Sequence, residues 1–154
     1  ASTDISASGM IHGQAGLRKH SFDGMGTSGG DHNGGDVVYF GNTTGLTAGA
    51  VYHYHTDGDW QIVNAGNNTA TKMIAVALGT TTDHGMLLRG MVTLAANEGS
   101  LNEGKKLYIS GTDGTLTTTR PTTSGHYVRV VGYCMTGSNR KIWFCPDNTW
   151  VEIA

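Results

Sequence analysis

Two histidines one residue apart, His53 and His55, are the side chains best placed for chemistry, and Asp57 and Asp59 follow them closely. On a β-strand, residues i and i+2 share a face about 7 Å apart, which suits two legs of a metal site. A structural zinc takes about four ligands and a catalytic one about three, so the pair alone is half a site. Tyr52 and Tyr54 alternate with the histidines, so one face of this strand is aromatic and the other His-rich. The simpler reading makes His53 and His55 surface or interface residues of an amphipathic strand, with no metal.

Other candidates are thinner. His12, His20, His32, His84 and His126 are scattered, mostly beside Gly, and none has a recognisable base role. No G-x-x-x-x-G-K-[ST] occurs and no G-x-G-x-x-G opens a helix. The Gly-rich stretch 26–32 precedes no helix that would bind phosphate, so it reads as a flexible loop. Asp57, Asp59 and Asp113 sit at turns, where Asp supports the backbone, and do not cluster. In a β barrel the His pair resembles the first motif of metal-binding cupins, but the expected Glu and later His-bearing motif are not evident. Trp60, Trp143 and Trp150, with Tyr52, are candidates for stacking on sugars; the alternative is core or interface packing. No catalytic, cofactor-binding or metal residue is assigned, and the chain is expected not to be an enzyme.

The residues that carry these side chains must belong to a β protein. The 154 residues suffice for one domain with a real core. Only 38% are apolar and 14% charged, while 24 are Gly, which suits short strands and tight turns more than a solvating tail. Period-2 strands need only one inward face, so a barrel tolerates the shortage of apolar residues. The net charge of −2 offers no footprint for nucleic acid or an anionic membrane, and no apolar run is long enough for a transmembrane helix. Residues 1–13 lack the basic and apolar regions of a secretion signal. Ala1 and Ser2 are small enough to follow a removed initiator Met, which leads us to expect a complete product made in a cytosol. Cys134 and Cys145 flank a hairpin; with its turn centred on Gly137-Ser138, Cys134 lies opposite Lys141, so both cysteines are expected to be reduced.

Residues 1–35 hold seven Gly by position 30 and only isolated apolar side chains, which follow neither period. They read as an extended arm, with 16–22 too short for a helix. From 36 to 154 the chain is expected to form an antiparallel β-barrel or sandwich of about nine or ten short strands, at 37–40, 50–55, 60–63, 73–78, 86–94, 106–110, 115–119, 127–135, 141–145 and 149–153. Thr56-Asp57-Gly58-Asp59 predicts a type I′ hairpin turn. Residues 46–58 and 101–114 share Leu-x-x-Gly, a short strand and Asp-Gly, and each is followed by a returning strand and an aliphatic one ending in Gly79 or Gly132. Two such units would close on each other as a pseudo-symmetric barrel. In 127–135, alternation puts Val128, Val130, Gly132 and Cys134 on one face and Arg129, Val131, Tyr133 and Met135 on the other.

Five elements in order, VALGT (76–80), GMLLRGMVTL (85–94), GKKLYIS (104–110), RPTTSG (120–125) and VRVVGYCM with IWFCPDNTWVEI (128–153), resemble a β module of virion structural proteins of tailed bacteriophages, notably marine and cyanobacterial ones. The resemblance covers about half the chain, from Ala75 onward. It implies a structural role in capsid decoration (cement) or in tail fibres and carries no catalytic residues. No shaft of heptads or repeated units precedes the module, so a capsid decoration protein is expected. It would sit on the capsid surface of the virion, bind the major capsid protein and itself, as a homo-oligomer with a trimer as the candidate form, and contact neither nucleic acid nor membrane. The alternative is a tail-fibre, receptor- or glycan-binding β module.

Overall fold

The structure, a computed structural model, describes residues 20, 21 and 24–154. Residues 1–19, 22 and 23, and with them most of the 16–22 stretch and His12, lie outside the described residues. Among the described residues eleven strands run in chain order: β1 (Asp36–Val38), β2 (Val51–Tyr54), β3 (Trp60–Ile62), β4 (Ile74–Ala77), β5 (Met86–Thr93), β6 (Lys106–Ile109), β7 (Leu116–Thr117), β8 (Tyr127–Val128), β9 (Val130–Thr136), β10 (Lys141–Phe144) and β11 (Val151–Glu152). The protein is all-β, as its alternating runs and Gly punctuation predict. Two short 3-10 turns, Asn68–Thr71 and Thr82–His84, leave no periodic trace in the sequence.

Nine of the strands form one curled antiparallel sheet, a half-barrel, in the order β3-β2-β4-β5-β10-β9-β6-β7 with β1 paired to β5 off this path, and β8 and β11 make a separate two-stranded sheet. Its two ends are drawn together by backbone bonds from Val51 N to Gly114 O, Gly114 N to Val63 O and Ala65 N to Ser110 O, each 2.9 Å. The curl encloses Val51, Val76, Leu87, Val92, Leu107, Ile109, Val131, Ile142 and Phe144, all fully buried. Side chains of this kind contribute about 1.5–3 kcal/mol each when removed from water, and they hold the sheet curled.

The strand order is a palindrome. Each half has a hairpin (β2-β3, β6-β7), then a third and a fourth strand (β4-β5, β9-β10), and the halves meet at β5 and β10. The Leu-x-x-Gly repeat marks equivalent joints: Gly49 N donates to Ala77 O at 2.7 Å and Gly104 N to Cys134 O at 2.8 Å, both glycines having φ near +80°. The alignment through Gly79 and Gly132 is corrected: Ala77 corresponds to Cys134, not to Val130. A bulge in β9 displaces the phase.

That bulge also overturns the facial assignment of 127–135. Leu107 pairs with Gly132 but Tyr108 with Val130, leaving Val131 as the extra residue. Val131 and Cys134 therefore both point into the core, Tyr133 and Met135 outward, and the run breaks at Arg129 into β8 and β9. A second irregularity, in the β9-β10 pairing, puts Cys134 opposite Ile142 instead of Lys141. Both cysteines are free, and burial pushes both thiols up in pKa. The β2-β3 connection is a hairpin but not a two-residue type I′ turn. Gly58 has φ +91° while Asp57 does not have positive φ, and the loop is closed by His55 N to Asp59 O at 2.8 Å.

β5 organises the rest. Residues 32–38 follow one edge, His32 opposite Val92 and Val38 opposite Met86. β4 and β10 share the other edge, Val76 opposite Leu87 and Phe144 opposite Gly90. Where β4 begins and β10 ends, the sheet has a seam. The Gly-rich 26–32 stretch, read as a flexible loop, is instead tied down: Ser28 N donates to Asp31 Oδ2, Gly30 N to Thr93 O, and Thr93 N to Asp31 O. Just before it, Lys141 Nζ donates to Met25 O at 2.8 Å.

Candidate functional site

His53 lies inside the barrel. It is opposite Gln61 on β3 and Ile74 on β4, and it is 1% exposed. Its reading as a surface residue is corrected: β2 is flanked on both edges, so its inward face stays covered to residue 53. The alternation itself holds, because Tyr52 packs in a separate cluster on the outer face with Trp60, Ala75, Ala77 and Met86. His53 and His55 stand edge to face with ring centroids 5.8 Å apart. His55 Nδ1 is 2.8 Å from Asp57 Oδ1, and this contact holds the Asp57 carboxyl below the usual carboxylate range. Among the described residues neither ring nitrogen of His53 has a hydrogen-bond partner. Among the described residues no three His, Cys, Asp or Glu side chains converge on a metal-sized site.

Burial lowers the pKa of His53, and the nearby Lys72 charge lowers it further. A histidine with a depressed folded pKa stays neutral on folding, so its contribution is intact above the unfolded value of about 6.5. It is lost progressively as pH falls below that towards the folded value. Thermal melts between about pH 7.5 and about pH 5 are expected to show falling stability. His53→Leu should flatten that slope; an unchanged slope in the variant would refute the assignment.

A second site occupies the seam. β11 pairs with β8, Val151 opposite Val128, and continuation of that register brings Trp150 beside Arg129. The Arg129 guanidinium is 4% exposed and 5.9 Å from the Trp150 ring centroid. Its Nε donates to Asp147 O at 2.6 Å, and its Nη1 to Ala70 O at 3.0 Å and Lys72 O at 2.6 Å. These carbonyls come from the two flanks of the seam, so Arg129 bridges the gap that β4 and β10 leave. Outside it opens a cleft of about 470 Å³, lined among others by Lys72, Met73, Leu88, Arg129, Asn148 and Trp150.

A third surface is the outer face of β5, β10, β9 and β6. Met91, Trp143, Tyr133 and Lys106 form one cross-strand row. The inner end is covered: Met91 is 4% exposed, His20 packs edge-on against Trp143 at 4.7 Å, and Arg89 lies 5.7 Å from the same ring. The outer end is open, with Tyr133 40% and Met135 38% exposed.

Of the sugar-stacking candidates, Trp60 and Tyr52 are core residues, and Trp60 Nε1 is engaged by Phe40 O at 2.8 Å. Trp143 is half-buried beneath His20 and Arg89, and Trp150 alone of the four is widely available, 44% exposed. Alternation groups Arg129 with Tyr133 and Met135 on one face, and nothing local to it signals the clamp on three carbonyls. Gly26-Thr27-Ser28-Gly29-Gly30 has the G-x-S-x-G spacing of a nucleophile elbow, but that device sits on a strand-to-helix turn and no helix follows here. No protein-family model matches the chain, and neither the curated proteins nor the solved structures contain a significant match.

Proposed function

We propose that the chain is a capsid decoration (cement) protein of a tailed bacteriophage, a non-catalytic β module that binds the outer capsid surface and stabilises the shell by bridging capsomers. Its partners on this reading are the major capsid protein and further copies of itself, with trimers around a threefold axis as the arrangement to test. The observation that carries it is the open end of the outer face, Tyr133 and Met135. On the other half, the corresponding face around Tyr52, Ala75 and Met86 is covered by the chain's own Val38 and Leu46. The segments that resemble phage virion proteins supply β5, β6, β9 and β10, the strands of this face.

Two side chains fall short of a stable interface, which buries upwards of about 1,000 Å². The Gly-rich N-terminal segment is the natural source of the remainder, and it approaches this face at His20. Contact made by such an arm must offset the entropy of ordering it. Purified particles are expected to hold hundreds of copies; a few dozen or fewer would move the protein to the tail and defeat the proposal. Tyr133→Asp with Met135→Asp should weaken binding to expanded capsids about a hundredfold while leaving the melting temperature nearly unchanged, because both side chains point outward. Undiminished capsid binding would exclude this face.

A further inference from the structure

We propose that the seam cleft binds an acidic saccharide, a pyranose ring carrying a carboxylate, with Trp150 as the stacking platform and Arg129 and Lys72 as the groups that receive the acid. This holds whether the module sits on a capsid or a tail.

The guanidinium of Arg129 has five N–H donors, and its three carbonyl partners engage only Nε and Nη1. Among the described residues Nη2 takes part in none of these bonds, and Arg129, only 4% exposed, reaches the surface where it lines the cleft. An arginine serving the fold alone would have its donors taken up or lie at the open surface. This one is clamped by three carbonyls with one edge turned to a cavity, the arrangement that receives a carboxylate oxygen. Lys72 lines the same cleft and makes no ion pair among the described residues, so it can take the second oxygen.

Charge and shape narrow the ligand. The cleft walls carry two cations and no carboxylate. Asp147, whose charge acts on Arg129, does not line the cleft, and its Oδ1 is occupied by Thr149 N at 3.0 Å and Thr149 Oγ1 at 2.7 Å. Trp150, Met73 and Leu88 offer apolar surface to the C–H face of a sugar ring, and Thr71 and Asn148 offer hydrogen bonds to hydroxyls. The volume lies within the range of small-molecule sites, about 300–1,000 Å³. An added peptide strand would need free backbone groups at the seam, but the carbonyls of Ala70, Lys72 and Asp147 already bond Arg129.

The test is titration of the full chain, followed by NMR and calorimetry, with methyl glucuronide, galacturonate and N-acetylneuraminate, against methyl glucoside and inorganic phosphate. At least one acid is expected to give saturable shifts at the Trp150 indole N–H and to bind about tenfold more tightly than methyl glucoside. Trp150→Ala should weaken binding about tenfold. Lys72→Gln should weaken it and flatten its dependence on salt. Both side chains reach solvent, so these variants test binding without removing the Arg129 clamp. Four outcomes would overturn the proposal: no saturable shift with any of the three acids; equal affinity for the neutral sugar; indifference to both substitutions; or phosphate binding as tight as the acids and independent of Trp150.

Discussion

Arg129→Ala is expected to be among the most damaging single substitutions in the molecule, lowering unfolding free energy by about 3–5 kcal/mol. Three backbone carbonyls, Ala70, Lys72 and Asp147, would lose their donor at the place where the sheet itself supplies none. An unpaired buried polar group costs about 1–3 kcal/mol, and truncation also removes the packing of the long side chain. Against a total stability of about 5–15 kcal/mol, that is a large fraction. Arg129→Lys should recover only part of it, because one ammonium cannot span carbonyls on both flanks of the seam as a planar fork does. Denaturant unfolding of the three proteins measures this. A midpoint for Arg129→Ala close to that of the parent would show that the seam does not depend on the clamp.

Gly132→Ala is expected to cost about 3 kcal/mol or more, at the upper end of what overpacking does. At Gly132 φ is +154°, and a Cβ there would lie well inside contact distance of the Trp143 carbonyl oxygen. That oxygen belongs to the neighbouring strand of the sheet, so relief requires the β9-β10 ladder to move. Gly104→Ala is the comparison: φ is +74° and nothing lies within 4 Å of the added carbon. It should cost only the left-handed backbone penalty, about 1 kcal/mol. Equal losses in the two variants would show that the close approach at Gly132 is not what constrains the bulge.

The readable and the unreadable parts of this chain divide along the range of the forces involved. Alternation in residues 50–55, 86–94 and 106–110, and turn chemistry at Gly58 and Gly114, act within a few residues, so strand positions were legible. The Leu-x-x-Gly repeat was legible for the same reason, but the palindromic strand order, and the correct alignment of Ala77 with Cys134, came only from the structure. Residues 127–135 were misread because a one-residue bulge reverses every side chain after it, and no residue type announces it unambiguously. His53 was misplaced because its burial depends on β3, β4 and the closure near Gly114, not on its own strand.

Of the candidate site, only Trp150 was visible beforehand, as one of four candidate platforms. The amino-acid sequence by itself determined that this is an all-β chain with a duplicated strand unit, because alternation and Gly-based turns are local properties of the backbone. The tertiary structure decided which histidine is buried, which tryptophan is free, and that Arg129 closes a seam. It does so by bringing Ala70–Lys72, Arg129 and Asp147–Trp150 together across long stretches of chain, where the unmet hydrogen bonds of two diverging strands give a buried guanidinium its place.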